Sequence, residues 1–117
     1  MLLTLWPAPS VFANGDSRTL EHIVIVWLKE PGNRAARERI IEASEVLTAI
    51  PGVVSLKSGS VVTSDRPIVD SSFDVALIIT LVDAAALQAY LTHPLHLILV
   101  EETLKPLVER IQVYDFR

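Results

Sequence analysis

None of the 117 residues is cysteine, which excludes disulfides, thiolate metal sites and thiol nucleophiles. Long hydrophobic runs are also missing. Half the residues are hydrophobic, but no run reaches the roughly eighteen residues that a membrane-spanning helix needs. Nor is there surplus positive charge. Ten Lys and Arg against fourteen Asp and Glu leave a net charge of −4, and nucleic-acid binding needs a clustered basic face. The Arg34, Arg37 and Arg39 group is interrupted by Glu38 and followed by Glu42 and Glu45, so it forms a solvated helix face. There is no Gly-rich phosphate loop, no Gly-x-Ser-x-Gly elbow and no His-Glu-x-x-His helix. Ser71 and Ser72 have no paired base nearby in sequence, leaving nucleophilic catalysis without support.

What remains suits one small domain. The chain opens on an apolar stretch, Met1 to Phe12, in which Val11-Phe12-Ala13 resembles the small-residue end of a secretory leader. A basic start is missing, and Pro7 and Pro9 break the stretch, so an extended N-terminal arm is the competing interpretation. Leader-like residues 1–13 favour export, and residues 1–20 are set apart from a domain over 21–117.

Glu21 to Lys29 predicts a strand that is apolar on both faces, with Val24, Val26 and Leu28 on one and Ile23, Ile25 and Trp27 on the other. Asn33 is placed to cap a helix whose buried stripe is Ala36, Ile40, Ala43, Leu47 and Ile50, stopped by Pro51-Gly52. A second strand is expected over Val53–Val62, with Gly59 at a bulge or a close backbone approach. A third is expected over Ser72–Leu81, with Phe73 in phase with Val75 and Leu77, and Asp74 on the opposite set. Asp83 caps a helix over Ala84–Thr92, Pro94 starts another that Pro106 ends, and Arg110–Phe116 closes the chain as a strand. The order β-α-β-β-α-β is the ferredoxin-like α+β arrangement with a four-stranded antiparallel sheet. Two helices cover one face of such a sheet. The second apolar face therefore predicts sheet-to-sheet pairing of two copies, a homodimer enclosing a barrel.

Candidate chemistry gathers at His93-Pro94-Leu95-His96. Pro94 forces His93 out of helical geometry, so the two imidazoles need not converge on a metal. His93 reads first as a helix terminator whose ring bonds a nearby carbonyl. His96, among Leu95, Leu97, Ile98 and Leu99, is either a satisfied core group or a pocket residue able to act as a general base. Leu87 and Leu91 define the core stripe of the preceding helix, with Tyr90 at its margin and its hydroxyl free to reach a polar partner. His22, in phase with Val24 and Val26, faces either the inter-sheet cavity or the helices. Asp74 is placed to balance a His or Arg charge, and Asp115 has no distinguishing context. His22, Val24, Val26, His93 and Asp74 are the ligand-contact candidates, with His96 and Tyr90 as base and partner.

The segments His22–Lys29, Ile50-Pro51-Gly52-Val53, Ser72-Phe73-Asp74, Tyr90-x-x-His93-Pro94-x-His96 and Val113-Tyr114-Asp115-Phe116, in that order, resemble the stress-responsive A/B-barrel (Dabb) domain family. The resemblance covers Glu21 to Phe116 and implies a ferredoxin-like subunit and a dimeric α/β barrel. The family includes a plant polyketide cyclase in which a Tyr and a His do acid/base work. Tyr90 and His96 match those positions and His22 matches the first-strand His, but Val75 and Ala43 stand where the cyclase has a His and a Tyr. The resemblance also implies Mg²⁺ between subunits on the backbone carbonyls of Leu47, Ile50 and Val53, at a helix end where carbonyls lack intrahelical partners. No cofactor is required by any of this. Three functions stay open: a dimeric barrel binding a small apolar or aromatic ligand, a cofactor-independent cyclase or lyase, and a structural stress-protective oligomer.

Overall fold

The computed structural model describes residues 18–117, so the leader-like residues 1–13, and all of the arm expected over 1–20 except its last three residues, lie outside the described residues. Strand β1 runs over Leu20–Leu28, one residue earlier than the expected domain start. Helix α1 (Arg34–Ala43) is extended by a 3-10 turn over Ser44–Ala49 and followed by strands β2 (Val53–Ser60) and β3 (Val75–Leu81). Helices α2 (Ala84–Thr92) and α3 (Pro94–Leu99) come next; a π turn over Val100–Leu104 and a last helical turn, α4 (Lys105–Leu107), lead into strand β4 (Val108–Phe116). The sheet order is β2-β3-β1-β4, and every neighbouring pair is antiparallel. This is the ferredoxin-like arrangement that the order of elements predicts.

The alternation in β1 and β3 decides where the core lies. Leu20, His22, Val24, Val26 and Leu28 are buried beneath the helices, as are Val75, Leu77, Ile79 and Leu81. Ile23, Ile25 and Trp27, with Ala76 and Ile78 beside them in register, line the open face and are half-buried. Against the covered face α1 presents Ile40, its 3-10 extension presents Leu47, and Ile50 follows just beyond, each at most 2% exposed. Each such side chain contributes roughly 1.5–3 kcal/mol by leaving water. Both predicted caps form: Asn33 accepts from the Ala36 N–H at 2.9 Å, and Asp83 accepts from the Ala86 N–H at 2.8 Å.

Several expectations are corrected by packing. The helix after Arg34 tightens to 3-10 geometry at Ser44, whose buried hydroxyl donates to the Ile40 carbonyl at 2.6 Å and competes with the regular ladder. Pro106 does not end its helix. A proline ring collides with the carbonyl four residues back, but the π turn, with Lys105 N–H donating to the Val100 carbonyl, widens the backbone there and carries the helix through to Leu107. β2 ends at Ser60 rather than Val62, and its register shift falls between Val53 and Ser55, not at Gly59, which pairs with Ala76.

β3 begins at Val75, later than Ser72. Asp74 and Val75 are both buried, which breaks the alternation, and Phe73 is turned to the open face. Phe73 there meets Trp27 edge-on, with centroids 6.5 Å apart. The bend is set by backbone bonds on both sides: Asp74 N–H donates to Val26 and Val61 N–H donates to Asp74.

Candidate functional site

Between the covered sheet face and the helices lies a cavity of about 210 Å³. Its walls are almost wholly apolar. Val24 and Leu77 come from the sheet, Leu47 from the 3-10 turn and Leu99 from α3, while Ile111 and Val113 stand at the β4 edge. Three polar rings interrupt this lining: His22, Tyr90 and His96.

Tyr90 is 1% exposed, at the centre of the packing rather than at its margin. Leu87 and Tyr90 are the buried residues of α2, whereas Leu91 is 36% exposed, because α3 folds back and shifts the buried stripe by one position. The Tyr90 ring lies between two imidazoles, its centroid 5.6 Å from His22 and 4.7 Å from His96. Burial pushes its phenol up to about 12, so it stays protonated at neutral pH and can donate. Its hydroxyl makes no hydrogen bond among the described residues. Tyr90 is one of the residues that line the cavity.

His96 has its tautomer set by the backbone. Its Nδ1 lies 3.1 Å from the Leu91 carbonyl oxygen. A carbonyl only accepts, so Nδ1 carries the proton and Nε2 keeps a basic lone pair. Burial lowers the His96 pKa from 6.5; the Leu91 bond opposes this and the nearby His22 adds to it. A neutral imidazole with a free Nε2 is the form that can accept a proton.

His22 faces the helices, which decides between its two expected orientations. Its Nδ1 lies 2.5 Å from Asp115 Oδ1, the residue directly opposite across the β1–β4 ladder. The carboxylate accepts, leaving Nε2 of His22 as the second ring nitrogen at the cavity. Sequence reasoning passed over Asp115. The available signal was an acidic residue continuing the Ile111, Val113 alternation on the covered side of β4.

The other candidates lie apart from these rings. His93 caps α2 at one end and α3 at the other, and its Nδ1 accepts from the Leu95 N–H at 3.1 Å. The ring therefore bonds an amide of the next helix, not a carbonyl of the last one, because Pro94 redirects the chain there. Asp74 accepts from Leu28 N–H (3.0 Å), Gly32 N–H (2.8 Å) and Arg37 (3.0 Å), tying the β1–α1 turn to the start of β3. Burial alone raises its pKa, but the Leu28, Gly32 and Arg37 bonds outweigh it and the net shift is downward. Val24 borders the cavity, whereas Val26, 0% exposed, is sealed in the core. The Leu47 carbonyl accepts from Ile50 N–H and the Ile50 carbonyl from Val53 N–H, both at 3.1 Å, and each oxygen keeps a second lone pair. Among the described residues no group of three or more His, Asp or Glu side chains is arranged to hold a metal.

A family model described as the stress responsive A/B barrel domain matches residues 20–117. A Dabb family protein with a ferredoxin-like fold from Mesorhizobium loti is 25% identical, with a TM-score of 0.68 over 85% of this chain and 95% of that one. A dimeric ferredoxin-like protein from Jannaschia sp. CCS1 is 24% identical, with a TM-score of 0.65 over 85% of this chain and 98% of that one. The hydroxynitrile lyase of Passiflora edulis is 23% identical, with a TM-score of 0.67 over 86% of this chain and 93% of that one. No curated protein matches the chain. With the family match extending over nearly the whole described domain, the chain belongs to the stress-responsive A/B-barrel (Dabb) family.

Proposed function

We propose that this chain binds one small, largely apolar or aromatic molecule bearing a single polar oxygen in the cavity between sheet and helices. The observation that carries the proposal is an apolar wall interrupted by three rings that keep an unbonded polar atom, the Tyr90 hydroxyl and Nε2 of His96 and of His22. Size narrows the ligand. An apolar cavity of about 150 Å³ holds benzene, so about 210 Å³ suits one ring with a short substituent. A long polyketide chain does not fit that volume, and Val75 and Ala43 supply no polar groups for one. A thermal-shift series with benzaldehyde, benzyl alcohol and toluene tests the proposal. Benzaldehyde and benzyl alcohol are expected to raise Tm more than toluene, and the difference should vanish in Tyr90→Phe/His96→Leu. No shift with any of the three would remove the proposal.

The tautomer of His96 favours a second reading, acid/base catalysis. Nε2 is positioned to take a proton and the Tyr90 phenol to donate one to a developing oxyanion, without a cofactor. A hydroxynitrile lyase shares the fold; in cyanohydrin cleavage a base takes the hydroxyl proton, the C–CN bond breaks as the carbonyl forms, and the departing cyanide takes up a proton. His96→Gln leaving turnover intact, once a substrate is found, would overturn this reading.

The same proposal includes a homodimer formed sheet to sheet. It is supported by the half-buried apolar residues of the open face and by the dimeric neighbour from Jannaschia. Sedimentation showing only monomer at micromolar concentration would contradict it. A Mg²⁺ ion between the copies would be held by the Leu47, Ile50 and Val53 carbonyls; the free lone pairs at this helix end are compatible with it. Dimer dissociation that is insensitive to Mg²⁺ would exclude that site.

A further inference from the structure

The helix layer carries a groove of about 360 Å³ that the His96 cavity does not use. Ala35, Ala36 and Arg39 of α1 form one side, with Asn33 at its end. Glu102 and Thr103 of the π turn, with Pro106 and Leu107 of α4, form the other. No strand residue lines it, and Arg39, Glu102 and Pro106 are exposed, so pairing of two open sheet faces leaves the groove uncovered. The two sides run in opposite directions, since α1 follows β1 while α4 leads into β4, which is antiparallel to β1. A backbone bond from Lys29 N–H to the Leu107 carbonyl holds the start of α1 beside the end of α4. One end of the groove is therefore apolar, made by Ala35, Ala36, Pro106 and Leu107. Arg39 and Glu102 stand across from one another at the other end, about one helical turn or roughly 6 Å away.

The polar groups at that end are unspent. The neighbouring charges are paired: Arg34 with Glu38, Arg37 with Asp74 and Lys105 with Glu101. Arg39 and Glu102 form no ion pair or hydrogen bond among the described residues, although they share the groove. Between them stands Thr103, only 6% exposed. The other buried polar side chains, His22, Ser44 and Asp74, are each hydrogen-bonded, whereas the Thr103 hydroxyl has no partner among the described residues. A helical threonine ordinarily bonds the carbonyl three or four residues back. In the wider π turn Thr103 makes no such bond, and π turns recur at functional sites.

We propose that this groove binds a small zwitterion, an α-amino acid with an apolar side chain. Its carboxylate is taken by Arg39 and the Thr103 hydroxyl, its ammonium by Glu102, and its side chain lies along Ala35, Ala36, Pro106 and Leu107. An α-amino acid carries both charges on one carbon, matching two opposite charges at the same end of the groove. A simple anion would meet Glu102 and a simple cation Arg39, so each is disfavoured against the zwitterion. The inference does not depend on the His96 cavity, since the two sites share no residue.

L-leucine and two analogues, 4-methylpentanoate without the ammonium and 3-methylbutylamine without the carboxylate, separate the two charges. Each is titrated into the full chain while the Ala36 and Thr103 amide resonances are followed by NMR. Leucine should give saturable shifts at both amides and bind about tenfold more tightly than 3-methylbutylamine. It should bind about threefold more tightly than 4-methylpentanoate, because the contact with exposed Glu102 is the weaker one. In Arg39→Gln the preference over the amine should vanish, and in Glu102→Gln the preference over the carboxylate. Thr103→Val, nearly the same shape, should weaken leucine severalfold. Leucine binding no more tightly than either analogue would overturn the proposal, as would preferences unchanged in Arg39→Gln and Glu102→Gln. Amides unmoved by leucine at tens of millimolar would do the same.

Discussion

His22 and Asp115 stand directly opposite one another across the β1–β4 ladder, with the imidazole Nδ1 2.5 Å from the carboxylate. His22 is 5% exposed, while the Asp115 side chain is 42% exposed, so a half-solvated carboxylate on an edge strand orients a buried ring. Asp115→Ala should leave the fold intact, cost about 1 kcal/mol in urea denaturation, and free the His22 ring to exchange tautomers. Imidazole ¹⁵N shifts check this: the Nδ1–H form dominates in the wild type, and a mixture is expected in the variant. An unchanged tautomer would show that something other than Asp115 sets it.

His96 should titrate below 6.5 in the folded protein, because burial disfavours its charged form. The consequence for stability has a definite sign. Between the lowered folded value and 6.5 the unfolded chain binds more protons, so stability rises with pH through that window. It is fully present above 6.5 and is lost as pH falls from there towards the folded value. Tm measured against pH for wild type and His96→Asn should differ in slope only across that interval. A wild-type His96 titrating above 6.5 by NMR would contradict this assignment.

Asp74 should matter more to stability than its partner Arg37. Asp74→Ala strands two backbone N–H groups and a guanidinium at once, and about 3 kcal/mol should be lost. Arg37→Met leaves the carboxylate bound to Leu28 and Gly32, and about 1 kcal/mol is expected. Because the folded pKa of Asp74 is depressed, its contribution holds above 3.8 and disappears as pH falls through the folded value. Chemical denaturation of both variants checks the order, and a larger loss in Arg37→Met would refute it.

Gly52→Ala should destabilise by about 2 kcal/mol or more. Gly52 has φ of +93°, a region that side-chain-bearing residues avoid, and an added Cβ would lie 2.8 Å from the Ala86 Cβ on α2. The same turn accepts the Val82 N–H on the Gly52 carbonyl, so the strain falls on the junction of β2, β3 and α2. Thermal denaturation of Gly52→Ala beside Gly32→Ala separates the two contributions. Gly32 also has positive φ but meets nothing within 4 Å, so its cost should be the smaller.

Local signals in the sequence were sufficient for the frame. The two-faced apolar alternation of β1, the caps Asn33 and Asp83, and the Pro51-Gly52 stop each depend on near neighbours, and each is found where expected. What was not legible depends on distant partners. The Phe73–Asp74 phase is set by bonds to Val26 and Val61, which no local period records. Tyr90 is central because α3 folds back over α2, so α2 cannot be read as an isolated amphipathic helix. Asp115 lies 93 residues from His22 in sequence, and only the strand register brings the two together.

The proposed ligand sits between His96, Tyr90 and the apolar wall. Intermolecular NOEs between benzaldehyde and methyl groups of the ¹³C-labelled protein test it most directly. Saturable NOEs are expected to the Val24, Leu77 and Val113 methyls, which border the cavity, and none to Ile78 on the open sheet face. NOEs confined to Ile78 and its open-face neighbours, or none at saturating benzaldehyde, would contradict it.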